Sequence, residues 1–137
     1  MSKLNFFIVA IFAVLICPAV NAQETEWIAV DGINVSVNEL IHDFGTQKLY
    51  TKTEFEFKIK NDSTATFAIQ NISTSCGCTT PTYSKRPVKS GKTAVVKVAY
   101  DSARIGSFEK SIYVYTNYST IPIELKIKGT MDESKTK

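Results

Sequence analysis

The segment Thr53–Lys60 alternates without a break. Phe55, Phe57 and Ile59 fall on one parity, and Glu54, Glu56, Lys58 and Lys60 fall on the other. Successive side chains of a β-strand point to opposite faces of a sheet, whereas a helix would scatter these apolar residues around its circumference. The pattern therefore predicts an antiparallel strand with one buried and one wet face. The same period of two recurs along the chain. Ile33, Val35 and Val37 alternate with Asn34, Ser36 and Asn38. Glu39–Gly45 reads as a strand that ends in a turn at Asp43 and Gly45. Thr66–Ser73 places Phe67, Ile69 and Asn71 on one face and Ala68, Gln70 and Ile72 on the other. Ala94, Val96, Val98 and Tyr100 point inward, as do Phe108, Ile112 and Val114, opposite Ser111, Tyr113 and Tyr115. Ile121, Ile123, Leu125 and Ile127 form a last strand that ends at Gly129. Turn-forming clusters separate these segments at Asn61-Asp62-Ser63, Asp101–Gly106 and Asn117-Tyr118-Ser119. Pro81, Pro87 and Ser90-Gly91 break regular structure after the cysteines, and Tyr83–Gly91 reads as a loop. No amphipathic helix is present. Six or seven short strands punctuated by turns predict an all-β sandwich of about 100 residues.

The first 22 residues stand apart from that pattern. Lys3 precedes an almost wholly apolar run, Leu4–Ile16, and Val20-Asn21-Ala22 supplies small residues before Gln23. That order is a secretory signal peptide cleaved after Ala22. The run is short for the ~30 Å of a bilayer core, and Pro18 follows it, so no transmembrane segment is expected after cleavage. A lipoprotein anchor at Cys17 is disfavoured by the bulky Ile16 before it. The expected organisation is a signal peptide at 1–22, a lead-in at 23–31 able to add an edge strand, a sandwich at 32–130 and a polar tail at 131–137. Within the lead-in, Trp27 reads as a packing residue. The expected location is the periplasm, the secreted fraction or the cell surface. Loss of Lys3 lowers the net charge from +3 to +2, too weak and dispersed for a nucleic-acid partner.

Cleavage also removes Cys17 and leaves an even pair, Cys76 and Cys78, in Ser75-Cys76-Gly77-Cys78-Thr79. In an extended strand their Cα atoms would lie ~6.6 Å apart on one face, so a bridge needs the bend that Gly77 allows. Three readings stand: buried free thiols, a Cys76–Cys78 disulfide that is structural or redox-active, or a soft-metal site at Cys76 and Cys78. A closed zinc site wants four ligands, and the mature chain offers two cysteines and His42. Two-coordinate Cu(I) needs only the two thiolates, so copper is the metal alternative; otherwise no cofactor is expected. His42 reads as a strand-end residue rather than a ligand or base. No catalytic residues are assigned, since no Ser-His-Asp set, phosphate loop or HExxH pattern is present. Tyr83, Lys85, Arg86 and Lys89 read as a solvated loop. Asn34, Asn61, Asn71 and Asn117 each begin an Asn-x-Ser sequon.

Several stretches then share order and spacing with one family: His42-Asp43-Phe44-Gly45, Phe55–Asn61, Ile69–Ser75 leading into Cys76-Gly77-Cys78-Thr79, Pro87–Gly91, Tyr100-Asp101, Gly106-Ser107-Phe108, Val114–Asn117 and Leu125–Gly129. Together they resemble the bacterial DUF1573 domain over residues 40–130, with Ser90 departing from the usual Pro-Ile-x-Pro-Gly loop. The resemblance implies an immunoglobulin-like β-sandwich of about seven antiparallel strands, related to the ASPM-SPD-2-Hydin and major-sperm-protein group. It implies an exported, non-enzymatic binding or scaffold module with a protein partner. A thiol or copper-binding module using Cys76 and Cys78 is the alternative.

Overall fold

The computed structural model describes residues 25–101 and 103–133; the signal peptide expected at 1–22, with Cys17, and the last four residues lie outside them. The alternating segments form nine strands: β1 (Ile28–Ala29), β2 (Val35–Val37), β3 (Ile41–Lys48), β4 (Thr53–Asn61), β5 (Ile69–Thr74), β6 (Thr79–Tyr83), β7 (Thr93–Tyr100), β8 (Gly106–Thr116) and β9 (Ile123–Asp132). They assemble into a five-stranded sheet, β1-β2-β4-β7-β6, and a four-stranded sheet, β3-β9-β8-β5. Every pairing is antiparallel except β3 with β9, which is parallel. The architecture is the expected all-β, immunoglobulin-like sandwich, with more strands than the sequence pattern resolves. No helix among the described residues is long and apolar enough to cross a membrane.

The core is the set of inward residues that the alternation defines. Phe57, Ile59, Val96 and Val98 from the first sheet and Ile112, Val114, Leu125 and Ile127 from the second are all 0% exposed. Tyr100 and Phe108 bring the two sheets together by stacking at 3.9 Å. On the wet face of β4, Glu54 pairs with Lys97 at 2.7 Å and Lys52 at 3.0 Å. Those two cations, through hydrogen bonds first and charge second, hold the Glu54 carboxyl below its usual range.

The segments that differ from expectation do so for local reasons. Thr79–Tyr83, to which the alternation assigns no strand and whose last residue falls in the expected Tyr83–Gly91 loop, is β6, the terminal strand beside β7. Its Pro81 is tolerated because an edge strand need not donate on both sides. In β5 the register shifts between Ile69 and Asn71. That bulge moves Ile72 from the wet face onto the core. β3 does not stop at Gly45 but continues to Lys48 through a second shift between Asp43 and Thr46. Gly45 absorbs the kink at φ 64°, and its amide donates to Asp43 Oδ1 at 2.8 Å. β9 begins at Ile123, leaving Ile121 exposed, and runs past Gly129 to Asp132. Met131 is fully buried and belongs to the sandwich rather than to a polar tail beginning at 131. The small Gly129 hid that continuation by interrupting the apolar alternation. A methyl at Gly129 would stand 2.9 Å from the Gly45 carbonyl and 3.0 Å from the Phe108 ring. The lead-in does add an edge strand, β1, and Trp27 lies half-buried with Lys60 Nζ 5.6 Å from its ring centre.

Candidate functional site

Ser75–Cys78 carries the chain from the four-stranded sheet at β5 to the five-stranded sheet at β6. A crossing between sheets ~10 Å apart within four residues demands a tight reversal. The polar residues around it supply that reversal. Thr79 N donates to Cys76 O at 3.4 Å, and Thr74 Oγ1 donates to Cys76 O at 2.9 Å and to Thr79 O at 3.4 Å. Asp101 N donates to Cys78 O at 3.1 Å, tying the turn to the end of β7. Ser75 N donates to Ser111 O at 3.0 Å, and Ser111 N returns to Ser75 Oγ at 3.1 Å. The cysteines therefore sit in a turn and not in an extended strand. Their Cα atoms are 5.4 Å apart and their sulfurs are joined as a disulfide.

Both cysteines are half-buried, and Gly77 between them is exposed. Cys78 packs against the core. Cys76 Sγ instead meets polar groups: Cys78 N donates to it at 3.3 Å, and Thr79 Oγ1 lies 3.7 Å away. As a disulfide the pair offers no thiolate to a metal. Among the described residues, no three of His, Cys, Asp or Glu converge on one point. A copper site would thus consist of the two thiolates alone, after reduction.

His42 is placed elsewhere. It lies within β3, at the opposite edge of the four-stranded sheet from β5, three strand spacings or about 14 Å away. Its ring stacks on Phe55 of the other sheet at 3.6 Å, and Nδ1 lies 3.0 Å from Glu39 Oε2. It closes one side of the sandwich and cannot serve as a base to Cys76. The basic loop also separates into parts. Lys85, Arg86 and Lys89 are exposed, while Tyr83 turns toward the core. Tyr113 and Tyr115 stay half-buried on the outer side of β8.

A second polar cluster, at the β4–β5 and β8–β9 connections, centres on Asn61, which is 0% exposed. Asn61 Nδ2 donates to Ala65 O at 2.8 Å and Val88 O at 2.9 Å. Its Oδ1 accepts from Ser63 N and Ser63 Oγ at 3.0 and 2.9 Å. Tyr118 OH donates to Ala65 O at 2.7 Å and bonds Ser63 Oγ. Asn117 links the same loops, donating to Thr66 O and accepting from Ala68 N. Two of the four sequons are thus occupied by structural asparagines. Asn61, buried with both ends of its amide satisfied, cannot carry a glycan in the folded state, whereas Asn117 is exposed and held by hydrogen bonds alone. The signal for this was the Asn-Asp-Ser cluster ending the most regular strand, a pattern that reads equally as an exposed turn.

The sequence model of the family described as "Protein of unknown function (DUF1573)" matches residues 35–131. None of the curated proteins matches the chain. Solved structures share the sandwich at low identity. A protein of unknown function from Porphyromonas gingivalis W83 aligns with TM-score 0.62 and 16% identity, covering 71% of this chain and 46% of that one. The Vibrio cholerae VesB protease gives 0.59 and 14%, over 72% of this chain and 32% of that one. The ASH/PapD-like domain 7 of human CEP192 gives 0.63 and 10%, over 84% of this chain and 96% of that one. The chain thus spans less than half the length of the first two, and at these identities the likeness is one of fold.

Proposed function

The chain belongs to the DUF1573 family, and from that membership we propose that it is an exported, non-enzymatic immunoglobulin-like module that binds a protein partner. The observation that carries the reading is the character of its terminal strands. β1 has two residues, β6 contains Pro81, and β3 is bulged and carries Asp43 and Lys48. Short length, proline, bulges and charge are the devices that keep sheet edges from pairing. β5 reads Ile-Gln-Asn-Ile-Ser-Thr, with neither charge nor proline, and ends the four-stranded sheet. Its bulge lies at its start, leaving Asn71–Thr74 in regular register with β8. An extended segment of a partner adds to such an edge by main-chain hydrogen bonds.

Export rests on the leader pattern at 1–22, and the module is assigned to the periplasm or cell surface. The module is read as non-enzymatic in the sense that it lacks an acid–base catalyst, because its sole histidine is committed to Glu39 and Phe55. The experiment is site-specific photo-crosslinking in the host cell, with p-benzoyl-phenylalanine replacing Gln70 on β5 or Val95 on the wet face of β7. A discrete protein adduct from position 70 alone supports the reading. Equal adducts from both positions, or none from position 70, contradict it.

A further inference from the structure

The turn between the sheets has an asymmetry that a merely structural bridge does not require. Cys76 Sγ faces two hydrogen-bond donors, the Cys78 amide and the Thr79 hydroxyl, whereas Cys78 packs on apolar core. Donors aimed at a sulfur hold negative charge there, and a thiolate is the nucleophile of sulfur exchange. The two cysteines therefore have different roles available. Moreover, the backbone of the turn is held by Thr74, Thr79 and Asp101 independently of the bridge. Opening the bridge leaves those bonds in place. A side chain at Gly77 would meet nothing within 4 Å, so the turn is open to an approaching partner.

We propose that Cys76 and Cys78 form a thiol–disulfide exchange site, with Cys76 as the attacking thiolate and Cys78 as the resolving thiol. The partner class is a disulfide or, in the reverse direction, a dithiol. In the reduced protein, Cys76 S⁻ attacks one sulfur of the partner disulfide. That S–S bond breaks, a mixed disulfide forms at Cys76, and the first partner thiolate leaves and takes a proton from water. Cys78 then gives its proton to water and attacks Cys76 Sγ, expelling the second partner thiolate. The protein becomes the bridged form and the partner becomes two thiols, with two electrons transferred. One exchange per chain needs no base, which accords with the remoteness of His42. The bridged form is returned by a dithiol through the same steps reversed.

The test uses the mature protein reduced and freed of reductant, with 5,5′-dithiobis(2-nitrobenzoate) as the disulfide probe. Wild type is expected to release two thionitrobenzoate anions per chain and to lose two daltons without retaining an aryl group. Cys78→Ser is expected to release one and to hold a stable mixed disulfide at Cys76. Its rate at pH 7 should exceed that of glutathione by about tenfold, as for a thiolate held by donors. Thr79→Val in that background should slow the reaction by about threefold to tenfold and move its pH profile upward, while Thr79→Ser keeps both. Far-UV circular dichroism verifies that each variant retains its β signal. Retention of an aryl group by wild type overturns the proposal without recourse to any variant. So does a Cys78→Ser rate no greater than that of glutathione, or a pH profile unmoved by Thr79→Val.

Discussion

Single residues decide how the loops are held. Asn61 is buried and uses both ends of its amide on four different residues, Ala65, Val88, Ser63 and Tyr118, so Asn61→Ala leaves several buried polar groups unmatched. The expected loss is about 3 kcal/mol of unfolding free energy, measured by urea denaturation, with about 1 kcal/mol for Tyr118→Phe. Gly129→Ala forces a methyl against the Gly45 carbonyl and the Phe108 ring, and should cost about 1–3 kcal/mol in the same assay. Neither role is legible in the sequence. Asn61 opens a turn cluster and a sequon, and what distinguishes it is three-dimensional: Val88 and Tyr118 arrive from distant loops. The Cys76–Cys78 pair was legible as a candidate site but not as a geometry. Two cysteines separated by a glycine fit a strand or a turn, and only the crossing between sheets requires the turn.

Elements record a different balance. The alternation in β4, β7 and β8 carried over directly, because one face of each packs on the core and the other stays wet. The strands that departed from pattern are β3, β5, β6 and β9, where bulges, a proline and a glycine intervene. A one-residue bulge flips every later side chain, as Ile72 demonstrates, and nothing in the local sequence marks its position. The bulge in β3 also gives a pH prediction. The Gly45 amide first, and Lys128 next, hold Asp43 below the usual carboxylate range. A lowered folded-state value stabilises the fold above the unfolded-state value of about 4, and that contribution disappears as pH falls through the folded-state value. Asp43→Asn should therefore reduce the midpoint of thermal unfolding at pH 7, and the deficit should shrink progressively as the pH is lowered below about 4.

At the scale of the whole molecule, two packed sheets leave four terminal strands among the described residues, and only one of these is both long and unguarded. β5 shares its side of the sandwich with β6, where Pro81 stands, and the Cys76–Cys78 turn joins the two. The proposed partner binding along β5 and the proposed sulfur exchange at its end would thus be neighbouring but separable. The signal peptide proposed for residues 1–22 predicts a mature chain beginning at Gln23, checked by intact mass of protein recovered from the cell envelope; an intact Met1 contradicts it. The most direct measurement of the central claim is the affinity of the partner recovered by crosslinking, titrated calorimetrically against wild type and against Gln70→Lys/Asn71→Lys. Lysines on an exposed edge oppose strand addition without disturbing the core. Binding through the β5 edge predicts a loss of affinity of tenfold or more, which is about 1.4 kcal/mol, at an unchanged unfolding midpoint. Equal affinity for the two proteins would contradict binding through the β5 edge.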